Sequence, residues 1–198
     1  MGNLNRRRVL ASGAVILAGA GMPEPMIADG VEEQTPSGPF MVSDDGGRAG
    51  SPWVIRGVTP IKAKVSGKDV NGRFAVIEVN TPPGRGPELH IHLHQNEMFY
   101  VVTGKIGLQC GLERKTLTVG DTFMAPMNVP HAYVTLAAEN ARMLNVFDPA
   151  GNIEEFFAGY ARILSADGPP DSKSMETLNT RCGMKIVGPP LQSTSFEN

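Results

Sequence analysis

Three of the chain's four histidines stand at alternate positions, His90, His92 and His94, and a carboxylate, Glu97, follows them. On an extended strand, residues i and i+2 project from one face, so His90 and His92 can reach a single ion. Neutral imidazoles together with a carboxylate suit a divalent first-row metal. The fourth histidine, His131, lies in a second patterned stretch that runs from Gly120 to Tyr133. The competing reading is a polar hairpin edge with solvated histidines. The clustering, the following glutamate and the matching second segment favour a metal site over it.

The elements that must position these groups read as strands. Residues 98–102 (Met-Phe-Tyr-Val-Val) are aromatic and β-branched, and Gly104 closes them. Further strands are expected at 53–55, 61–65, 74–79, 131–135 and 142–147, with an Asn71-Gly72 turn before the third. Residues 105–110 and 115–119 read as a hairpin turning through 111–114.

The first histidine segment resembles the first cupin motif, Gly-x5-His-x-His-x4-Glu-x6-Gly, through Gly84, His90, His92, Glu97 and Gly104. The second resembles the other cupin motif, Gly-x5-Pro-x-Gly-x2-His-x3-Asn, through Gly120, Pro126 and His131. Asn128 stands where that motif has its turn glycine, which is tolerable because Asn also enters positive φ. Thr135 replaces the final Asn, so the hydrogen bond of that Asn is not assured. A longer pattern from Trp53 to Leu191, including Asp148-Pro149-Ala150-Gly151, is similar to single-domain quercetin 2,3-dioxygenase-like cupins.

The resemblance implies an all-β double-stranded β-helix, a jelly-roll barrel, with one or two C-terminal helices. It implies one divalent transition metal (Mn, Fe, Ni, Co, Cu or Zn) held by His90, His92, Glu97 and His131, with one or two coordination positions open. Glu97 is also the candidate catalytic base. Alternation from Glu97 turns Phe99 and Val101 inward, and alternation from His131 turns Tyr133 and Thr135 inward. Phe99, Val101 and Tyr133 are then candidates to line a substrate pocket, although core packing explains the aromatics equally well. His94 falls in the hairpin turn of the motif and reads as either a rim residue or a solvated one.

Length and composition bound the rest. A chain of 198 residues fits one domain with tails, and 23 Gly and 16 Pro favour a turn-rich β fold over a helical bundle. The net charge is −2, with no basic stretch beyond the first residues, which argues against nucleic acid as a partner. Arg6-Arg7-Arg8-Val9-Leu10, the apolar run of 11–21 and Ala18-Gly19-Ala20 read as a twin-arginine export signal with its cleavage site. The expected organisation is a signal at 1–20, a linker at 21–52, a barrel at 53–150 and a C-terminal helical extension at 151–198. The mature protein would be periplasmic or secreted, with no stable membrane insertion after processing.

In the extension, Ile153, Phe156, Phe157, Tyr160 and Leu164 share a helical face that would pack on the outside of the barrel. Asn152 and Glu155 have capping-box spacing. A second helix is expected at 171–181, and a loose tail after 191. Cys110 and Cys182 read as separate apolar fillers, although export would permit a disulfide.

The resemblance implies a small-molecule substrate, and for this family a homodimer. Three functions compete: a metal-dependent dioxygenase acting on a flavonol-like or enediol substrate, a redox-neutral metal-dependent isomerase or lyase, and a non-enzymatic exported binder of a small molecule or metal.

Overall fold

The structure, a computed structural model, describes residues 38–165 and 169–196. The expected export signal and most of the expected linker lie outside the described residues. Ten strands come first: β1 (Arg48–Ile55), β2 (Thr59–Val65), β3 (Ala75–Thr81), β4 (Glu88–His92), β5 (Asn96–Thr103), β6 (Lys105–Cys110), β7 (Glu113–Thr118), β8 (Thr122–Ala125), β9 (His131–Thr135) and β10 (Ala141–Asp148). Helices α1 (Ile153–Ser165) and α2 (Ser172–Arg181) follow, and then β11 (Met184–Pro190).

The strands form a six-stranded sheet in the order β1-β2-β3-β10-β5-β8 and a five-stranded sheet in the order β11-β4-β9-β6-β7. From β4 to β10 the chain passes repeatedly from one sheet to the other, and the pairings are antiparallel. That is the double-stranded β-helix, with the C-terminal helices expected from the sequence.

Binary alternation explains the core. Along β10, Ala141, Met143, Asn145 and Phe147 are buried, while the residues between them are not fully so. Two apolar clusters fill the space. One joins Trp53, Ile77, Val79 and Phe147 to Ile153 and Phe156 of α1, and the other gathers Phe99, Val101, Leu108, Tyr133 and Met143.

Several details differ from the sequence expectation. Strand β1 starts at Arg48, inside the stretch expected as linker. It carries no apolar period because side-chain bonds hold it: Arg48 Nε donates to Asp69 Oδ2 at 3.0 Å, and Ser51 Oγ accepts from Ala63 N at 3.0 Å. The β6–β7 turn is tighter than expected, with Cys110 paired to Glu113 across Gly111 and Leu112.

The capping box at α1 is not formed. Asn152 Nδ2 donates to Arg181 O at 3.3 Å, and Glu155 pairs with Arg181 at 2.6 Å, so both side chains tie α1 to α2. Glu154 instead accepts from Ser66 Oγ and Gly67 N. The apolar stripe of α1 does not lie on the outer surface of the barrel. Phe157 stacks on Trp53 at 6.3 Å and meets Phe147 edge-on at 6.2 Å, on the sheet face that also carries Asn145. The helix therefore packs on the Trp53 and Phe147 side of the six-stranded sheet.

The expected second helix is α2, capped by Asp171, whose side chain accepts from Ser174 N. Beyond it the extension is not purely helical, because β11 returns to pair with β4. Pro189 and Pro190 are compatible with this because β11 is an edge strand. The tail is not loose up to Phe196. A 3-10 turn over Ser193–Phe196 lays the Phe196 ring on Gly107, where an added Cβ would meet the ring at 2.6 Å.

Candidate metal centre

Four strands' worth of pairing converge on one spot in the barrel. His90 and His92 lie on β4, His131 opens β9 directly opposite His90, and Glu97 lies on β5 opposite Phe147 of β10. The loop leading into β4 approaches β9 closely at Gly86, where a Cβ would fall 1.8 Å from Tyr133 O. The turn before β9 carries Asn128 at φ 65°, the left-handed conformation its place in the motif requires, and Asn128 N donates to His92 O at 2.8 Å.

The structure brings His90, His92, Glu97 and His131 together. All four are buried, and one donor atom from each lies within 4.8 Å of the others. The outer ring nitrogens are engaged by the protein. His90 Nδ1 faces Glu88 O at 2.7 Å, His131 Nδ1 faces Val129 O at 2.9 Å, and His92 Nδ1 faces Gln95 Oε1 at 3.3 Å. A carbonyl oxygen only accepts, so each Nδ1 carries a hydrogen, and each Nε2 is the ring nitrogen turned inward that can be offered to an ion. Glu97 Oε2 lies 3.0 Å from His131 Nε2 and 3.2 Å from His92 Nε2. The donor set and its orientation fit a divalent transition metal.

The electrostatics follow from this crowding. Burial, and then the neighbouring imidazoles His131 and His92, push His90 down to about 3, so it stays neutral. Burial raises Glu97, but the hydrogen bonds from His131 and His92 outweigh it and hold the carboxyl below the usual range. Burial pulls His131 down, yet Glu97 more than compensates and raises it. Both nitrogens of His131 face acceptors, Val129 O on one side and the Glu97 carboxylate on the other. A carboxylate held this way is a good ligand and a weak base.

Two supporting residues escaped the sequence reading. Gln95, in the turn between β4 and β5, holds His92, and its Nε2 donates to the carbonyls of Pro149 and Ala150. Asn145 Nδ2 donates to Glu97 Oε1 at 2.6 Å. A signal for Asn145 was present: it is the lone amide on the inward face of an otherwise apolar β10, between Met143 and Phe147.

Phe99, Val101 and Tyr133 are all buried in one cluster, with the Phe99 ring 6.1 Å from those of His131 and Tyr133. The Tyr133 hydroxyl meets Thr81 Oγ1 at 2.8 Å, and burial pushes its phenol up. Thr135 is inward too, and its hydroxyl donates to Thr81 O at 3.2 Å. His94 is exposed in the turn against Gly183 and is not part of the cluster. Cys110 and Cys182 are buried and unpaired. A cleft of about 290 Å3 bounded by Pro83, Lys105, Thr135, Leu136 and Phe196 holds none of the four clustered residues.

Residues 77–147 match the family model described as a cupin domain, a stretch that runs from β3 to β10 and contains all four clustered side chains. The matched stretch coincides with the core of the double-stranded β-helix and is similar there to a cupin domain. No curated protein matches the chain. Among solved structures, KdgF from Halomonas sp. is similar at 21% identity over 57% of this chain and 94% of its own, with a TM-score of 0.47. A predicted oxalate decarboxylase from Thermotoga maritima shows 16% identity over 46% of this chain and 80% of its own, with a TM-score of 0.44. The polyketide cyclase RemF from Streptomyces resistomycificus shows 25% identity over 46% of this chain and 64% of its own, with a TM-score of 0.40. Among the described residues, no helix is long and apolar enough to cross a membrane.

Proposed function

We propose that this cupin is a metal-dependent dioxygenase acting on a small flavonol-like or enediol substrate, with the ion held by His90, His92, Glu97 and His131. The observation that carries the reading is the buried cluster itself, in which three imidazoles and one carboxylate converge inside an apolar barrel. When bound, the ion supplies Lewis-acid polarisation of a substrate oxygen and a redox partner for O2.

The chain's own residues do the rest. Glu88 O, Gln95 and Val129 O fix the three rings in the tautomer that leaves Nε2 free. Asn145 holds Glu97 Oε1, so Oε2 is the carboxylate oxygen left for the ion and the imidazoles. Phe99, Val101 and Tyr133 give the site apolar walls that suit a flat substrate and exclude water. The hydrogen bonds that hold Glu97 below its usual range make ligation its first task, and proton acceptance requires one of them to open.

Metal analysis of the purified protein, followed by oxygen uptake with a panel of flavonols and enediols, tests the reading. Stoichiometric metal with oxygen consumption is expected. Turnover without oxygen consumption would move the assignment to a redox-neutral isomerase or lyase, and tight ligand retention without turnover would move it to a binding protein.

A further inference from the structure

Among the described residues, three buried side-chain polar atoms have no hydrogen-bond partner: Arg142 Nε, Asn145 Oδ1 and Asn179 Oδ1. Asn145 alone of these touches the ligand cluster. Its side chain is almost fully buried, at 2% exposure, and Nδ2 donates to Glu97 Oε1 at 2.6 Å. Chemistry fixes the orientation of the amide, because an amide oxygen turned towards a carboxylate oxygen at that distance would be repelled. The carbonyl Oδ1 therefore points away from Glu97 while remaining beside it. Its cross-strand neighbours are Ile77 on β3 and Phe99 on β5, and neither side chain has a hydrogen to donate. A buried acceptor left in this state is costly, so the site is built for a donor that arrives from elsewhere.

We propose that Asn145 Oδ1 is a substrate-recognition subsite. It accepts a hydrogen bond from a hydroxyl vicinal to the oxygen that the substrate places at the metal, while Nδ2 of the same amide fixes Glu97. The inference rests on the metal-enzyme reading above and narrows its substrate class. The molecule must carry two adjacent oxygens, one for the ion and one still protonated. A 1,2-diol, an enediol or a catechol qualifies, and an ether-capped analogue does not. One side chain thereby links ligand geometry to substrate choice.

The test uses the full protein loaded with Zn(II), whose redox silence permits equilibrium titration. Catechol and 2-methoxyphenol are titrated into wild type and Asn145→Leu, with zinc content measured in the same samples and affinities referred to the loaded fraction. The two probes differ in one donor, so a merely structural role for Asn145 would not change their ratio. Wild type is expected to favour catechol, and Asn145→Leu to lose about tenfold of that preference, the worth of one buried hydrogen bond. A preference that survives in Asn145→Leu overturns the proposal, because chelation at zinc alone would then explain it. Equal binding of both probes by wild type also overturns it, without recourse to any variant. Failure of wild type to take up zinc at the four residues is a different result: it removes the metal reading itself, and the subsite with it.

Discussion

Gln95 joins His92 to the start of the C-terminal helix: its Oε1 meets His92 Nδ1 at 3.3 Å, and its Nε2 donates to Ala150 O. The amide is buried and spans more than fifty positions of sequence. It fixes the ring tautomer of His92 by way of a carbonyl just ahead of α1. Gln95→Leu should lower metal affinity by about 10–100-fold, the usual effect of removing such a support. Gly151→Ala should act in the same direction, because a Cβ there would lie 2.9 Å from Gln95 Nε2 on a backbone with φ of 50°. Competition with a chromophoric chelator measures both. Unchanged affinity in both variants would mean that Gln95 does not hold His92.

The four clustered residues and His94 should separate cleanly. His131→Ala removes a buried proposed ligand and the partner of Glu97, so metal content should fall to near background. His94→Ala should retain it, since His94 is exposed and outside the cluster. Elemental analysis of the purified variants decides the matter, and the reverse pattern would relocate the site to the hairpin turn.

The titratable groups of the cluster pull stability in different directions as pH changes. The folded pKa of His131 is raised, so its pairing with Glu97 stabilises the metal-free protein below about pH 6.5, the value of free imidazole, and this is lost as pH rises through the higher folded value. Glu97 is lowered, so its share is present above about pH 4.3 and lost as pH falls through the lower folded value. His90, held at about 3, works the other way. The unfolded chain takes up its proton below about pH 6.5 while the folded chain does not, so stability falls towards acid. Protons compete with an ion for His131, and the neighbouring Glu97 favours the proton. The gain in Tm from added metal should therefore grow as pH rises from about 6 to about 8, the range around the imidazole value. Scanning calorimetry with and without metal checks this, and a gain independent of pH would contradict it.

Asn128 offers a test of the turn. Its φ of 65° is unfavourable for a residue with an ordinary side chain. Asn128→Ala should cost about 1 kcal/mol in denaturant unfolding, whereas Asn128→Gly should fall within a few tenths of wild type. Equal losses in both would show that the side-chain amide, not the backbone, is what the turn needs.

The cluster was legible in the sequence because its residues obey local rules. The i, i+2 spacing set His90 and His92 on one face, and the two motif segments contained Glu97 and His131. Alternation also turned Phe99, Val101, Tyr133 and Thr135 inward, where they are buried. The supports were not legible, because each depends on a partner far along the chain. Asn145 meets Glu97 only through the β10–β5 register, and Gln95 needs a carbonyl more than fifty positions on. Strand β1 escaped because polar bonds, not apolar alternation, hold it. The helix α1 was recognised by its stripe, but a stripe says that a face is buried and not which side of a sheet buries it.

Strand β11 was described as the neighbour of β4, with Met184 opposite His92 and Ile186 opposite His90. On a ribosome, the histidine strand emerges some ninety positions before the strand that flanks it. Until β11 arrives, β4 is a bare sheet edge, able to pair with the wrong partner. Closing so distant a contact is slow relative to local hairpins such as β6–β7. The nascent chain thus presents its imidazoles early and shelters them late. A chain stopped at Gly183 would retain every proposed ligand, yet leave the strand that carries two of them open to aggregation.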